Sequence, residues 1–174
     1  MANSPDTTAP RCGVLAPAFT LPDVMRPSDA EPVRLRAWRQ RRPVLLALLP
    51  QAAGAHSIAW LRAIADRSDD LDYARAAVVA IVGGDHEAAR ALWRQADVSF
   101  PILVDSDGAT LAAYLNANAT QPALAVINRY NVLLALLPAT GAESAPDLDA
   151  ALREFAFAEQ EDCACGLPAW PVDA

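Results

Sequence analysis

Thiol chemistry in this 174-residue chain can come only from Cys12, near the start, and from Cys163 and Cys165, near the end. A Cys-x-Cys pair can close a strained disulfide or, with outside ligands, hold a soft metal. Glu159, Glu161 and Asp162 stand beside the pair and disfavour the thiolate, which is the nucleophilic form. A redox-active or partner-facing dithiol and a tail with two ordinary thiols are the readings open to Cys163 and Cys165. Three cysteines do not make the disulfide framework of a secreted domain. The other reactive pair is His56-Ser57. Adjacent residues on a helix do not face each other, and no G-x-S-x-G elbow surrounds them. Ser57 therefore reads as a helix N-cap and His56 as a loop residue. His86 reads as a solvent-facing helix residue, and two isolated histidines without a Cys/His cluster make no metal site. Asp105-Ser-Asp107-Gly108 carries a fragment of calcium-loop spacing but lacks the later acidic ligand, so turn chemistry explains it. No Lys follows Gly83-Gly84, which reads as a strand-to-helix turn. No metal or cofactor is expected.

Composition narrows the function classes. Hydrophobic residues make up 53% of the chain, too many for a disordered protein. All 14 basic residues are Arg, and the net charge of −7 argues against general binding to nucleic acid or to an anionic membrane. One basic run, Arg34 to Arg42, reads as a solvated loop, with an anion site as its alternative. No apolar run approaches the about 20 residues that a transmembrane helix needs, and residues 1–11 lack a signal-peptide core. A cytoplasmic protein is the expectation.

The elements that must position these residues follow from hydrophobic pattern. Val44 to Leu49 is continuously apolar, as a central strand covered on both faces should be, and Pro50 ends it. A helix is expected from about Ser57 to Asp66, with Ile58, Leu61 and Ala65 on one face. The acidic stretch Asp66 to Asp72 carries the chain round to a second buried strand, Ala76 to Val82. Asp85 can cap the next helix, His86 to Gln95. Strand, helix and strand at this spacing make a βαβ unit with parallel strands. Phe100 to Asp105 is extended and Ala109 to Asn116 helical. Leu124 to Ile127 and Val132 to Leu137 form an antiparallel hairpin around Asn128 to Asn131. Pro146-Asp147 opens a last helix to about Phe157. The order predicts an α/β three-layer sandwich with a mixed central sheet. Residues 1–12 read as a flexible leader, 13–158 as the single domain and 159–174 as a Cys-containing tail.

Several segments resemble one family in the right order. Gly13-Val-Leu-Ala-Pro-Ala-Phe-Thr-Leu21 is similar to the G-x-x-A-P-x-F-x-L opening of peroxiredoxins of the alkyl hydroperoxide reductase / thiol-specific antioxidant family. Val33 to Trp38 resembles the family's next segment. Ser99 to Gly108 resembles its F-P-x-L-x-D-x-x-G stretch, and Gln121 to Asn128 the P-x-x-F-x-I-D strand of thioredoxin-like proteins. Cys165-Gly-Leu-Pro-Ala-Trp-Pro171 is similar to the end of the C-P-E-C-G-x-P-x-W-P tail of a bacterial redoxin-like branch, with Asp162 at the first Cys position and Cys163 offset by one.

The resemblance implies a thioredoxin-like fold, peroxide reduction, a thioredoxin-type reductant or other protein partner, and a homodimer. It also implies where the chemistry should be. The family's P-x-x-x-T-x-x-C motif, laid from Pro50, puts the Thr position on Gly54 and the reactive Cys position on Ser57. The Arg expected before the later strand falls near Gln121-Pro122. A Ser hydroxyl neither ionises at neutral pH nor cycles through sulfenic acid. Pro50, Gly54, Ser57 and Pro122 thus read as vestigial active-site positions, Pro122 matching a place where such folds carry a cis proline. Two functions follow as expectations. One is a degenerate antioxidant-family protein whose thiol redox role rests on Cys163 and Cys165. The other is a non-catalytic module binding a partner or ligand in the vacated pocket, Ala53 to Ser57 and Pro122.

Overall fold

A computed structural model describes residues 10–27, 29–52, 54–116, 120–141 and 144–164, with side chains to 160. Residues 1–9 of the expected leader, Ala53, and the tail from Cys165 onward lie outside the described residues.

The continuously apolar stretch does become the middle of the molecule. Strand β3 (Val44–Leu49) is buried along its whole length. It pairs in parallel with β4 (Ala77–Gly83), which pairs in parallel with β5 (Ile102–Asp105). On its other side β3 pairs antiparallel with β6 (Ala123–Ile127), and β6 with β7 (Leu133–Pro138). The five-stranded order is β5-β4-β3-β6-β7. A small antiparallel pair, β1 (Thr20–Leu21) and β2 (Val33–Arg34), stands apart from it and leads into a 3-10 turn, Leu35–Trp38.

Alternation along β3 divides the core. Leu45, Ala47 and Leu49 face α1 (Ala55–Ala65), α3 (His86–Ala96) and α5 (Leu148–Ala164), meeting Trp60, Leu61, Leu92 and Phe155. Val44, Leu46 and Leu48 face α4 (Ala109–Leu115) and the N-terminal segment, meeting Leu111, Tyr114, Phe19 and Leu35. Successive side chains of a strand point to opposite faces, so a strand covered on both must be apolar throughout. The expected three-layer α/β/α architecture with a mixed sheet is therefore what the chain adopts.

Four local expectations are corrected. Helix α1 starts at Ala55 with Gly54 as its cap residue, so Ser57 is not the N-cap and His56 is helical, not in a loop. The acidic stretch forms a short helix, α2 (Ser68–Tyr73), held by the buried Leu71 and by Asp69 and Asp70 in its first turn; acidic groups there complement the positive end of a helix. Helix α5 runs past Phe157 to Ala164 and takes in Cys163. No peptide bond among the described residues is cis. Pro122 instead prolongs the β6–β7 ladder, its carbonyl accepting from Ala139 N at 2.8 Å.

Candidate functional site

The C-terminal end of β3 gathers most of the positions singled out by sequence. The β3–β6 register pairs Leu48 with Ala123, which brings Pro122 to the same sheet edge as Pro50. Beyond Pro50 the chain is tied to β4: Ala52 N donates to Gly83 O at 3.1 Å. Gly83 is required there, because a Cβ at that residue would stand 2.3 Å from Pro50 O and 3.0 Å from a Leu111 methyl. Gly54 follows with φ of +132°, a conformation open to glycine.

Ser57 lies in the first turn of α1 and is buried. Its Oγ donates to Gln51 O at 2.9 Å. The hydroxyl therefore fastens the loop that precedes the helix. No side chain caps Gly54, no acidic residue occupies the first turn, and the first helical bond, Ile58 N to Gly54 O, is long at 3.4 Å. His56 leans on Trp60 one turn later, ring centres 6.0 Å apart. Its Nε2 is buried with no hydrogen-bond partner. Trp60 is anchored in turn by Nε1 donating to Ser144 O at 2.6 Å.

A polar cavity of about 320 Å³ adjoins this edge, lined among others by Pro50, Gly83, Gly84, Asp105, Gly108 and Leu111. Asp105 is buried, and its Oδ2 accepts from Leu111 N at 2.7 Å. Burial raises its carboxyl above the ordinary aspartate value, against the opposing effect of the Leu111 and Thr110 amides. Asp107 moves the other way, held down first by the Ala109 amide, which donates to its Oδ1 at 3.0 Å. Both carboxylates thus shape the turn into α4, as turn chemistry implies. Among the described residues no group of three or more His, Cys, Asp or Glu could hold a metal.

The cysteines do not join this site within the described residues. Cys12 is exposed. Phe155, Ala158 and Glu159 of α5 line a crevice with Pro43, Asn128 and Arg129. Those residues mark the N-terminal end of β3, the opposite end from Pro50. The last turn of α5, with the backbone of Cys163, continues from there. Cys165 lies outside the described residues. The buried His56–Trp60 contact was not legible in sequence beyond its spacing of four residues, which places two helical side chains on one face.

The sequence of residues 12–135 matches the model of the AhpC/TSA family. The chain belongs to that family. Solved structures resemble the fold as well. A peroxidoxin, BcpB, from Mycobacterium tuberculosis matches with a TM-score of 0.71 at 20% identity, over 84% of this chain and 96% of the other. A reduced 2-Cys peroxiredoxin from Plasmodium vivax matches with a TM-score of 0.74 at 15% identity, over 87% and 98%. A putative protein disulfide isomerase from Bacteroides thetaiotaomicron matches with a TM-score of 0.63 at 21% identity, over 88% of each chain. No curated protein matches. At these identities the neighbours establish the thioredoxin-like fold, in its AhpC/TSA form. Among the described residues no helix is long and apolar enough to cross a membrane.

Proposed function

We propose that this AhpC/TSA-family chain carries out no peroxidase chemistry at the start of α1, and that its remaining thiol redox capacity rests on Cys163 and Cys165. The observation that carries the reading is Ser57. By the family motif it stands where the reactive cysteine belongs, and its Oγ is hydrogen-bonded to Gln51 O at 2.9 Å. A hydroxyl so placed has neither the ionisation nor the redox states that peroxide reduction requires. Gly54 and Pro122, at or beside the positions where the family's Thr and Arg are expected, have no side-chain donor for a peroxide, and Gln121 offers a neutral amide in place of a guanidinium charge.

The test is hydrogen peroxide consumption by the full chain with a thioredoxin-type reductant. We expect no turnover that depends on Ser57, so the Ser57→Ala chain behaves as the unaltered one. Any slow thiol turnover should vanish in Cys163→Ser/Cys165→Ser. Rapid peroxide consumption that survives loss of both tail cysteines would defeat the reading.

A second reading is supported by the same edge. The uncapped start of α1 and the unpartnered Nε2 of His56 offer donors and an acceptor to a bound group. In that reading the chain is a binding module for a ligand or protein partner, or a homodimer, and thiol chemistry is incidental. Sedimentation of the purified chain tests the partner and homodimer forms of this reading: a monomer that retains no partner counts against both.

A further inference from the structure

The arginines of the basic run do not scatter over the surface. Six of the chain's 14 arginines line one groove of about 700 Å³: Arg26, Arg34, Arg36, Arg39, Arg41 and Arg42. Glu31 is the acidic residue in its wall. Arg26 and Arg34 have nearby carboxylates, Asp23 at 3.4 Å and Glu31 at 3.6 Å. Arg36, Arg39, Arg41 and Arg42 are exposed and make no ion pair among the described residues. Four like charges within seven residues repel one another, in a protein whose net charge is −7.

The backbone that bears them is fixed. Leu35 is buried in the core beneath the groove, and Trp38 packs against the same cluster. The 3-10 turn brings residues three apart onto one side, which aligns Arg36 with Arg39; Arg39 N donates to Arg36 O at 3.2 Å. Gln40, at φ of +60°, donates its N–H to Arg129 O at 2.6 Å, and the amides of Arg41 and Arg42 both return to Trp38 O. The guanidinium groups are therefore carried on a pinned loop, which lowers the ordering cost of binding.

We propose that this groove binds an acidic peptide segment of a partner protein. Its volume far exceeds that of a single phosphate-like ion. The arginines stand on both the β2 side and the loop side, and Val33, Ala37 and Trp38 supply apolar wall between them. That pattern suits carboxylates spaced along an extended chain with apolar side chains between, each carboxylate taking a planar guanidinium fork. A long nucleic acid would extend beyond the groove onto a surface of net negative charge, where it is repelled.

The probe is an oligoglutamate peptide interspersed with leucine, titrated into the full chain by calorimetry. Binding is expected at low salt, weakening at least about tenfold at molar-range salt, where the Debye length falls to about 3 Å. Arg36→Ala/Arg39→Ala should weaken it at least about tenfold, and Arg36→Lys/Arg39→Lys should restore part of that loss. The matching glutamine peptide should not bind. Absence of binding at low salt overturns the proposal, as does affinity unchanged in the Ala variant. Tighter binding of tripolyphosphate or of single-stranded DNA would reassign the groove. So would salt-sensitive dimerisation abolished by the same Ala variant, in favour of a second copy. Circular dichroism of each variant confirms that a lost signal is not lost folding.

Discussion

Two strand-to-helix junctions lie side by side at one edge of the sheet, β3 into α1 and β4 into α3, and the chain finishes them differently. At α3 the cap is complete: Asp85 Oδ1 accepts from Ala88 N at 2.7 Å, and Glu87 adds negative charge to the first turn. At α1 the cap is Gly54, without a side-chain acceptor, and the nearest hydroxyl, on Ser57, donates to the preceding loop. Both junctions end a parallel strand in the same layer. The difference is thus one of local side chains and not of topology. A closed junction satisfies its own amides; an open one leaves them for water or for a bound group.

The strongest way to break this comparison is at Gly83, where the two junctions touch. Gly83→Ala puts a Cβ against Pro50 O, a backbone atom that cannot swing aside. The expected cost is about 3 kcal/mol in urea unfolding. A cost near zero would mean that the α1 junction is not held by β4 at all. Next, Asp85→Ala should cost about 1 kcal/mol, the usual penalty for deleting a good cap. Ser57→Ala should cost about 0.5 kcal/mol, because it removes one partly buried hydrogen bond, to the Gln51 carbonyl, and no helix cap. If Ser57→Ala proved the more damaging of these two, the open-junction reading of α1 would be wrong.

The smallest expected effect is a pH dependence at Asp105. Its carboxyl is raised by burial, so its contribution is fully present below the unfolded-state value and is lost as pH rises through the folded-state value. The unaltered chain should therefore lose stability relative to Asp105→Asn as pH rises above the ordinary aspartate range. Asp107 is held down in part by Asp105, so the substitution acts on both carboxylates and the difference reports the pair. A difference that grows in favour of the unaltered chain as pH rises would contradict the burial argument.

The fold was legible where one force dominates. The apolar run of β3 has the composition of a doubly covered strand, and Asp85 stands where a cap of the next helix is expected; the structure has both. The α1 start is not where sequence places it, because Ser57 has the right chemistry for a cap. Only the geometry shows its hydroxyl already engaged with Gln51, three residues before Gly54. Helix α2 has little sequence signature because a single buried leucine, Leu71, holds it. The end of α5 is not marked in sequence because Phe157 is its last large apolar side chain, and a polar run, Glu159 to Asp162, follows. At the candidate site the residue types were visible from the motif spacing. The close approach of Gly83 to Pro50 was not, since it joins strands more than thirty residues apart through a missing side chain.

Trp60 sits at the root of the open junction, buried, with His56 against its ring and its indole N–H on Ser144 O. That placement makes it an optical gauge of the fold. An indole held dry emits at short wavelength, and lifting the 144–147 connection off α1 would wet it and shift its emission to the red. Substituting Trp38, Trp93 and Trp170 with Phe would leave Trp60 to report, in a single spectrum, whether occupancy at the α1 edge is felt at the connection into α5.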